Sequence, residues 1–283
     1  MLHLGPVFYT LNTFRSAMLG RRKAGDPLDT QRMQHLFDLI TVLTHKELKV
    51  KYKNSLFGYL WSVAHPLAFA VVFFVAFKMV MRIDVPNYAL FLISGLFPWQ
   101  WFSNSVTVAP VLFLTNAQLI KKVRFPRNLI PFTQVLLDMI HFVLAMPVIV
   151  LFLFVYDKSP SFTWVVGIPV LLVIQFLVTY GLSLLVASTN LFFRDLERMA
   201  AIFISLLFYF TPVIYPESMV PQKYRWTIYL NPLAPVMVSW RNLFLDGTLE
   251  PSYIVTAFGY ALAICGLGII VYRRLSWRFA EVL

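Results

Sequence analysis

The chain has 283 residues, of which 59% are hydrophobic and 13% are charged, and its mean hydropathy is +0.72. Because soluble domains are typically about 25% charged, this composition excludes a soluble protein and predicts an all-α polytopic membrane protein. The formal net charge of +11 is attributed to juxtamembrane Lys and Arg that meet anionic lipid, and nucleic-acid binding is not expected.

The N-terminal residues 1–29 are only partly apolar, and polar and basic residues interrupt them too often for a membrane span. A loose tail and a surface helix both fit this segment, and we favour the tail; no removable signal peptide is expected. Residues 30–58 carry apolar residues at helical spacing and lysines on the opposite side, which predicts an amphipathic helix in the cytoplasmic membrane interface. Packing of this helix on protein would produce the same pattern. The residues concerned are Leu36, Leu39, Ile40 and Leu43 on one side and Lys46, Lys49 and Lys53 on the other.

Residues 59–283 are predicted to form a transmembrane domain with six spans. Six apolar runs reach or approach the roughly 20 residues that cross a bilayer core. Pro98 and Pro110 predict kinks or a break in the second run. Residues 217–250 are predicted to dip into the outer face and return, because their apolar part is short and contains prolines. The six runs lie within residues 54–77, 88–114, 129–156, 161–190, 199–215 and 253–272.

A basic island between the second and third spans orients the chain. It carries four basic residues within seven positions, whereas residues 85–120 have no charged residue. Because cytoplasmic loops are enriched in Lys and Arg, the island is predicted to be a short cytoplasmic loop, and six spans place both termini on the same side. The island residues are Lys121, Lys122, Arg124 and Arg127, and the outer basic residues are Arg82, Lys158, Lys223, Arg225 and Arg241.

The chain lacks the sequence patterns of a nucleotide-binding or catalytic centre. It has no Gly-x-x-x-x-Gly-Lys-Ser/Thr loop, no cluster at metal-ligand spacing and no Gly-x-Ser-x-Gly elbow. We therefore expect neither a bound metal nor a catalytic residue. The one acid inside a span is Asp138, with His141 one turn later. It is either a cavity-facing polar site or a structural partner of a nearby Arg or Lys.

Seven short motifs follow one another along the chain. They are residues 44–67, 95–99, 125–127, 193–196, 211–215, 231–235 and 278–281. Each motif is weak alone, but seven in the same order are specific. On these motifs the chain, over about residues 35–283, resembles the permease subunits of bacterial polysaccharide ABC exporters.

The resemblance implies a six-span half-transporter of the ABC-2 type in the bacterial inner membrane. It would work as a homodimer with two copies of a separate ATP-binding subunit, which holds ATP and Mg²⁺, so this chain needs no cofactor. The substrate implied is a polysaccharide linked to undecaprenyl pyrophosphate, with O-antigen favoured. Capsule, teichoic acid, and a small lipid or drug are alternative substrates. A membrane-embedded transferase acting on lipid-linked sugars and a passive channel are alternatives of a different class.

Two basic clusters and two aromatic groups are predicted to be functional. Lysines before the first span would receive the pyrophosphate, because an unpaired pyrophosphate in low dielectric is costly. The basic island and the helix of residues 30–53 would dock the ATP-binding subunit. Aromatic side chains would line or gate the path, although belt residues facing lipid would look the same in the sequence. The lysines are Lys46, Lys49, Lys51 and Lys53; the aromatic residues are Phe97, Trp99, Trp101 and Phe102 beside Pro98, and Tyr215, Tyr224, Trp226 and Tyr229 at the outer face.

Overall fold

The computed structural model describes residues 28–52, 60–82, 84–123 and 125–282. Within these ranges the chain is helical and contains no strand, which confirms the predicted all-α class. The predicted tail up to residue 27, Lys53 and Arg124 lie outside the described residues. The chain divides into two units, Met1–Val42 and Leu43–Leu283, and the second holds every site discussed below.

The first helix, α1, spans Leu28–Tyr52 and confirms that the amphipathic segment is helical. It begins in the first unit and ends in the second. In the part that belongs to the second unit, Leu43 is buried whereas Lys46 and Lys49 are exposed. These three side chains agree with the predicted apolar and basic sides, whereas Phe37 and Val42 of the same helix are exposed. The location of α1 in the membrane interface stays a prediction.

Two interrupted helices follow. The helix α2 (Leu60–Phe73) continues as a π-helical turn at Phe74–Val80. The helix α3 (Tyr88–Val108) leads into a 3-10 turn at Ala109–Val111 and then into α4 (Leu112–Thr115). The first two predicted spans are thus helical but not uniform.

The break in the second predicted span falls at Pro110, inside the 3-10 turn, and not at Pro98. Because α3 runs through Pro98 without interruption, the break predicted there is wrong. Proline is tolerated inside a membrane helix where neighbouring groups satisfy the affected backbone. The side-chain amide of Gln175 donates to the Pro98 carbonyl oxygen at 2.7 Å, which ties α3 to a neighbouring helix at this point.

The remaining helices correct one detail of the basic island. Lys121 and Lys122 end a short helix, so the first half of the island is helical and not a loop. The helices are α5 (Ala117–Lys122), α6 (Leu129–Val155), α7 (Trp164–Asn190), α8 (Leu196–Phe210), α9 (Trp226–Leu230), α10 (Ala234–Asp246), α11 (Pro251–Leu275) and α12 (Phe279–Val282).

Three helical segments of the described chain are long and apolar enough to cross a membrane. They are Leu129–Val155, Trp164–Asn190 and Pro251–Arg278, which correspond to the third, fourth and last predicted spans. The other predicted spans fall short in length or hydropathy; α8, for example, has only 15 residues.

Close approach of α7 and α11 organises the core. These helices form the most extensive helix pair. A Cβ built on Gly268 would lie 2.2 Å from Gly181 O, and one built on Gly181 would lie 2.5 Å from Cys265 Cα. Small residues let membrane helices gain van der Waals contact that large side chains would prevent. The crossing therefore depends on the absence of side chains at two positions.

Candidate functional site

The aromatic group of α3 is packed inside the protein. Phe97, Trp99, Trp101 and Phe102 are all at least 95% buried. The Trp101 indole donates to Val135 O at 3.2 Å. In this conformation the four side chains contact protein of their own chain, and their role in lining a path stays a prediction.

The outer aromatic group has a different environment. Tyr224 and Trp226 are exposed by 51% and 59%, and Tyr229 by 39%. Tyr229 stacks on Tyr253 with ring centroids 5.4 Å apart. Tyr215 is partly buried and its hydroxyl donates to a backbone carbonyl of α8 at 3.1 Å. Three of the four outer residues are therefore exposed, whereas the four residues of the α3 group are buried.

An aromatic row on α2 was not singled out from the sequence. His65, Phe69, Phe73 and Phe77 stand four residues apart, and successive ring centroids are 5.0, 6.1 and 6.0 Å apart. Phe73 also approaches Phe208 of α8 at 5.7 Å. The spacing of four along a helix is the sequence signal that would have revealed the row.

The acid predicted inside a span is buried in a polar cluster. Asp138 is 2% exposed and accepts hydrogen bonds from Ser105 Oγ at 2.8 Å and Gln134 Nε2 at 2.9 Å. His141 Nδ1 lies 3.7 Å from its other oxygen. Gln134 is also among the residues that line a small cavity. The two roles considered for Asp138 therefore both stay open.

Two amides on α7 form a second polar feature that the sequence reasoning missed. Gln175 donates to Pro98 O, and Asn190 donates to Pro110 O at 2.9 Å. Trp240 of α10 donates to Gln175 Oε1 at 2.6 Å. The carbonyls of both prolines in the second predicted span are thus held by α7. Amides inside a long apolar run are the signal that could have identified them.

The basic residues divide into surface groups and structural groups. Lys46 Nζ donates to Asn116 Oδ1 at 3.0 Å. Lys121 and Lys122 are exposed on α5. Arg127 instead donates from Nη1 to the backbone oxygen of Ser276, the residue that follows α11, at 2.9 Å. Lys49 is exposed on α1, whereas the Lys51 side chain, Lys53 and Arg124 lie outside what the structure describes.

Arg241, one of the basic residues predicted at the outer side, is buried. It is only 6% exposed, lies on α10, and donates from Nη2 to Val213 O at 2.7 Å. The centre of its guanidinium group lies 3.7 Å from the centroid of the Phe91 ring. A count of Lys and Arg on each side of the predicted spans cannot distinguish a buried cation from a surface cation, because the count uses only position along the chain.

Comparison with known proteins identifies the family. Residues 38–245 match the ABC-2 type transporter family. An O-antigen export system permease protein RfbA of Klebsiella pneumoniae is 49% identical over 249 residues, covering 88% of this chain and 96% of the relative. One from Myxococcus xanthus is 33% identical over 242 residues, covering 83% and 92%. The polysialic acid transport protein KpsM of Escherichia coli is 19% identical over 239 residues, covering 83% and 92%. The chain belongs to the ABC-2 type transporter family of membrane permeases.

Proposed function

We propose that this chain is the transmembrane subunit of an ATP-driven exporter that moves O-antigen, linked to undecaprenyl pyrophosphate, across the bacterial inner membrane. The observation that carries the proposal is 49% identity to an O-antigen permease over 96% of that relative. The identity to a polysialic acid transport protein is only 19%, which favours O-antigen over capsule. ATP and Mg²⁺ belong to a separate subunit, because the chain has no phosphate-binding loop.

The proposed topology has six spans with both termini in the cytoplasm. The helices α2, α3, α6, α7, α8 and α11 supply the spans, and residues 217–250 form the re-entrant outer segment. Enrichment of Lys and Arg in the predicted cytoplasmic loops supports this orientation. The short length of α8, at 15 residues, suits a span whose outer end is extended by non-helical chain buried in protein.

A homodimer is proposed on the basis of two poorly covered helices. Ile204 is the only buried residue of α8, and α2 likewise leaves apolar side chains such as Val71 and Val72 more than 60% exposed. Pairing of two copies along these helices would cover apolar surface and leave a path for the glycan at the dimer axis. The exposed apolar residues of α8 are Met199, Ile202, Phe203, Leu206, Tyr209 and Phe210.

The ATP-binding subunit is proposed to dock on the cytoplasmic end of the chain. Lys121 and Lys122 are exposed on α5, and Arg124 and Arg127 continue the island. Joint replacement of Lys121, Lys122 and Arg124 by Glu should reduce copurification of the ATPase from membranes that contain normal amounts of the permease. The exposed outer residue Lys223 is the matched control, because its reversal changes charge on the opposite face. Unchanged copurification and export would reject this docking surface.

The pyrophosphate is proposed to bind near the lysines at the end of α1. Lys46 and Lys49 are exposed there, and Lys51 and Lys53 follow in the sequence. Cations at this depth would pair with a phosphate group that is costly to leave unpaired. Replacement of Lys51 and Lys53 by Ala should weaken substrate-stimulated ATP hydrolysis more than basal hydrolysis. Equal loss of both activities would point to docking or folding instead.

One experiment separates the proposed function from its alternatives. The tagged chain is purified from cells that make the glycan, and the preparation is tested for an ATPase and for transport in proteoliposomes. Copurification of an ATPase and ATP-dependent movement of the lipid-linked glycan would support export. A preparation that lacks an ATPase and conducts passively would indicate a channel, and one that alters the glycan covalently would indicate a transferase. Movement of a small lipid or drug without the glycan would identify the other permease class.

A further inference from the structure

The chain between α8 and the outer segment crosses the core without a helix. We call residues 211–215 the connector. Thr211 and Val213 are 0% exposed and Ile214 is 5% exposed. A buried carbonyl outside a helix must find a donor elsewhere, because an unpaired polar group in an apolar surrounding is costly. The connector is therefore held by side chains that come from other helices.

Two donors hold adjacent carbonyls of the connector. The Tyr88 hydroxyl at the start of α3 donates to Ile214 O at 2.8 Å. Arg241 Nη2 of α10 donates to Val213 O at 2.7 Å. The neutral hydroxyl shows that a carbonyl here does not require a charged donor. The donor to the preceding carbonyl, that of Val213, is nevertheless a guanidinium, and this choice needs a further reason.

The surroundings of Arg241 are unusual for a buried cation. The guanidinium lies over Phe91 in a slot left open by Gly95, where an added Cβ would come 2.9 Å from Nη2. Among the described residues no Asp or Glu forms an ion pair with Arg241; Glu217 acts on it only from a longer distance, and Nε has no hydrogen-bond partner. A buried charge without a contacting counter-ion is expensive, and an apolar side chain of similar volume is often neutral or stabilising in its place. Stability alone therefore does not account for this residue.

We propose that Arg241 is the positioning residue that guides the connector, and with it α8, during transport. The inference rests on the proposed export function. The helix α8 buries little of its own surface, with Ile204 as its only buried residue, and it continues directly into the buried connector. A guanidinium presents five donors in a planar fork. The Arg241 guanidinium can move its hydrogen bond from one connector carbonyl to another while its face stays on the Phe91 ring. The unpaired Nε provides a further N–H donor for the second carbonyl.

The test compares Arg241→Met with Arg241→Lys in cells and in proteoliposomes with the ATPase. Thermal stability, export per folded molecule, and the ratio of substrate-stimulated to basal ATP hydrolysis are measured for each variant. Arg241→Met removes a buried charge but leaves the Val213 carbonyl without its donor, two changes with opposite effects on stability. Export per folded molecule should fall by about tenfold, the change expected when a charged hydrogen bond is lost from a transport step. Arg241→Lys keeps a charged donor and should recover part of that loss.

Lys158→Met is the matched control, because Lys158 Nζ also donates to a distant backbone carbonyl, Leu245 O at 2.9 Å. It should lower stability and leave export per folded molecule unchanged. If Arg241→Met does not fold, Gly95→Ala narrows the slot with the guanidinium retained and should reduce export in the same way. Parental export per folded molecule in either Arg241→Met or Gly95→Ala would overturn the proposal. A parent chain that moves no glycan would count against the proposed function instead.

Discussion

Alanine in place of Gly268 should force α7 and α11 apart. The added Cβ would lie 2.2 Å from Gly181 O, whereas carbon atoms prefer contacts of roughly 3.5 Å or more. The obstacle is backbone of the facing helix, which cannot rotate away as a flexible side chain does. To accommodate the new Cβ, α7 and α11 would therefore have to separate by about 1 Å along the direction from this Cβ to Gly181 O.

The expected cost follows from two opposing effects. Overpacking typically costs about 1–3 kcal/mol, and because the obstacle here is backbone at 2.2 Å, the cost should lie in the upper part of that range, at about 2–3 kcal/mol. Replacing Gly by Ala inside a helix recovers up to about 1 kcal/mol through better helix propensity. We therefore expect Gly268→Ala to destabilise the chain by about 1–2 kcal/mol. At Gly259, on the same helix, an added Cβ meets nothing within 4 Å, so Gly259→Ala should be neutral or stabilising.

The buried cysteine of α11 can report how often α7 and α11 separate. Cys265 is the single cysteine of the chain, is 8% exposed and faces Gly181. The rate at which a water-soluble maleimide labels Cys265 in the purified protein measures how often the crossing opens. A loss of 1–2 kcal/mol corresponds to roughly a 5–30-fold increase in the opened fraction.

Gly268→Ala should therefore label about 5–30-fold faster than the parent, and Gly259→Ala should label at the parental rate or more slowly. Thermal unfolding should rank the variants in the same order. Equal labelling and equal thermal midpoints for Gly268→Ala and Gly259→Ala would refute the close crossing, since both carry the same gain in helix propensity.

Gln175→Leu removes the amide that bonds two neighbouring helices, so it should lower stability by about 1–3 kcal/mol in a thermal-shift measurement; an unchanged midpoint would contradict the bonding role. Asp138→Ala should destabilise through the Ser105 and Gln134 side chains left without their acceptor, whereas a loss of export with parental stability would favour a cavity-facing role. Trp101→Ala should lower the amount of folded protein, since the indole is buried, and exposed Trp226→Ala should not. Altered export per folded molecule in Trp226→Ala supports an outer lining, and parental export rejects it.

Much of the fold follows from local sequence. The spans at residues 129–156 and 161–190 are predicted within a few residues of α6 and α7, because long uncharged runs leave the backbone no alternative to a helix in an apolar medium. The amphipathic segment before the first span is equally local, since its apolar and basic residues repeat at helical spacing.

The interruptions were harder to predict from the sequence. Pro98 and Pro110 look alike in the sequence, yet only Pro110 lies in a 3-10 turn. The carbonyls of both prolines accept amides of α7 that lie 77 and 80 residues further along the chain. Local propensity carries no information about such a partner.

The sequence by itself determined the membrane class, the family and the presence of a basic island between two apolar runs, because these depend on composition and on the order of motifs. Only the tertiary structure decided which aromatic residues are buried, which cations lie at the surface and which are enclosed. Trp101 and Trp226 are both tryptophans predicted to line the path, but one is 2% and the other 59% exposed. Arg241 is enclosed because Gly95 leaves a slot and Val213 offers a carbonyl. Burial is set by contacts between segments distant in the chain, and the apolar character of each segment alone does not specify them.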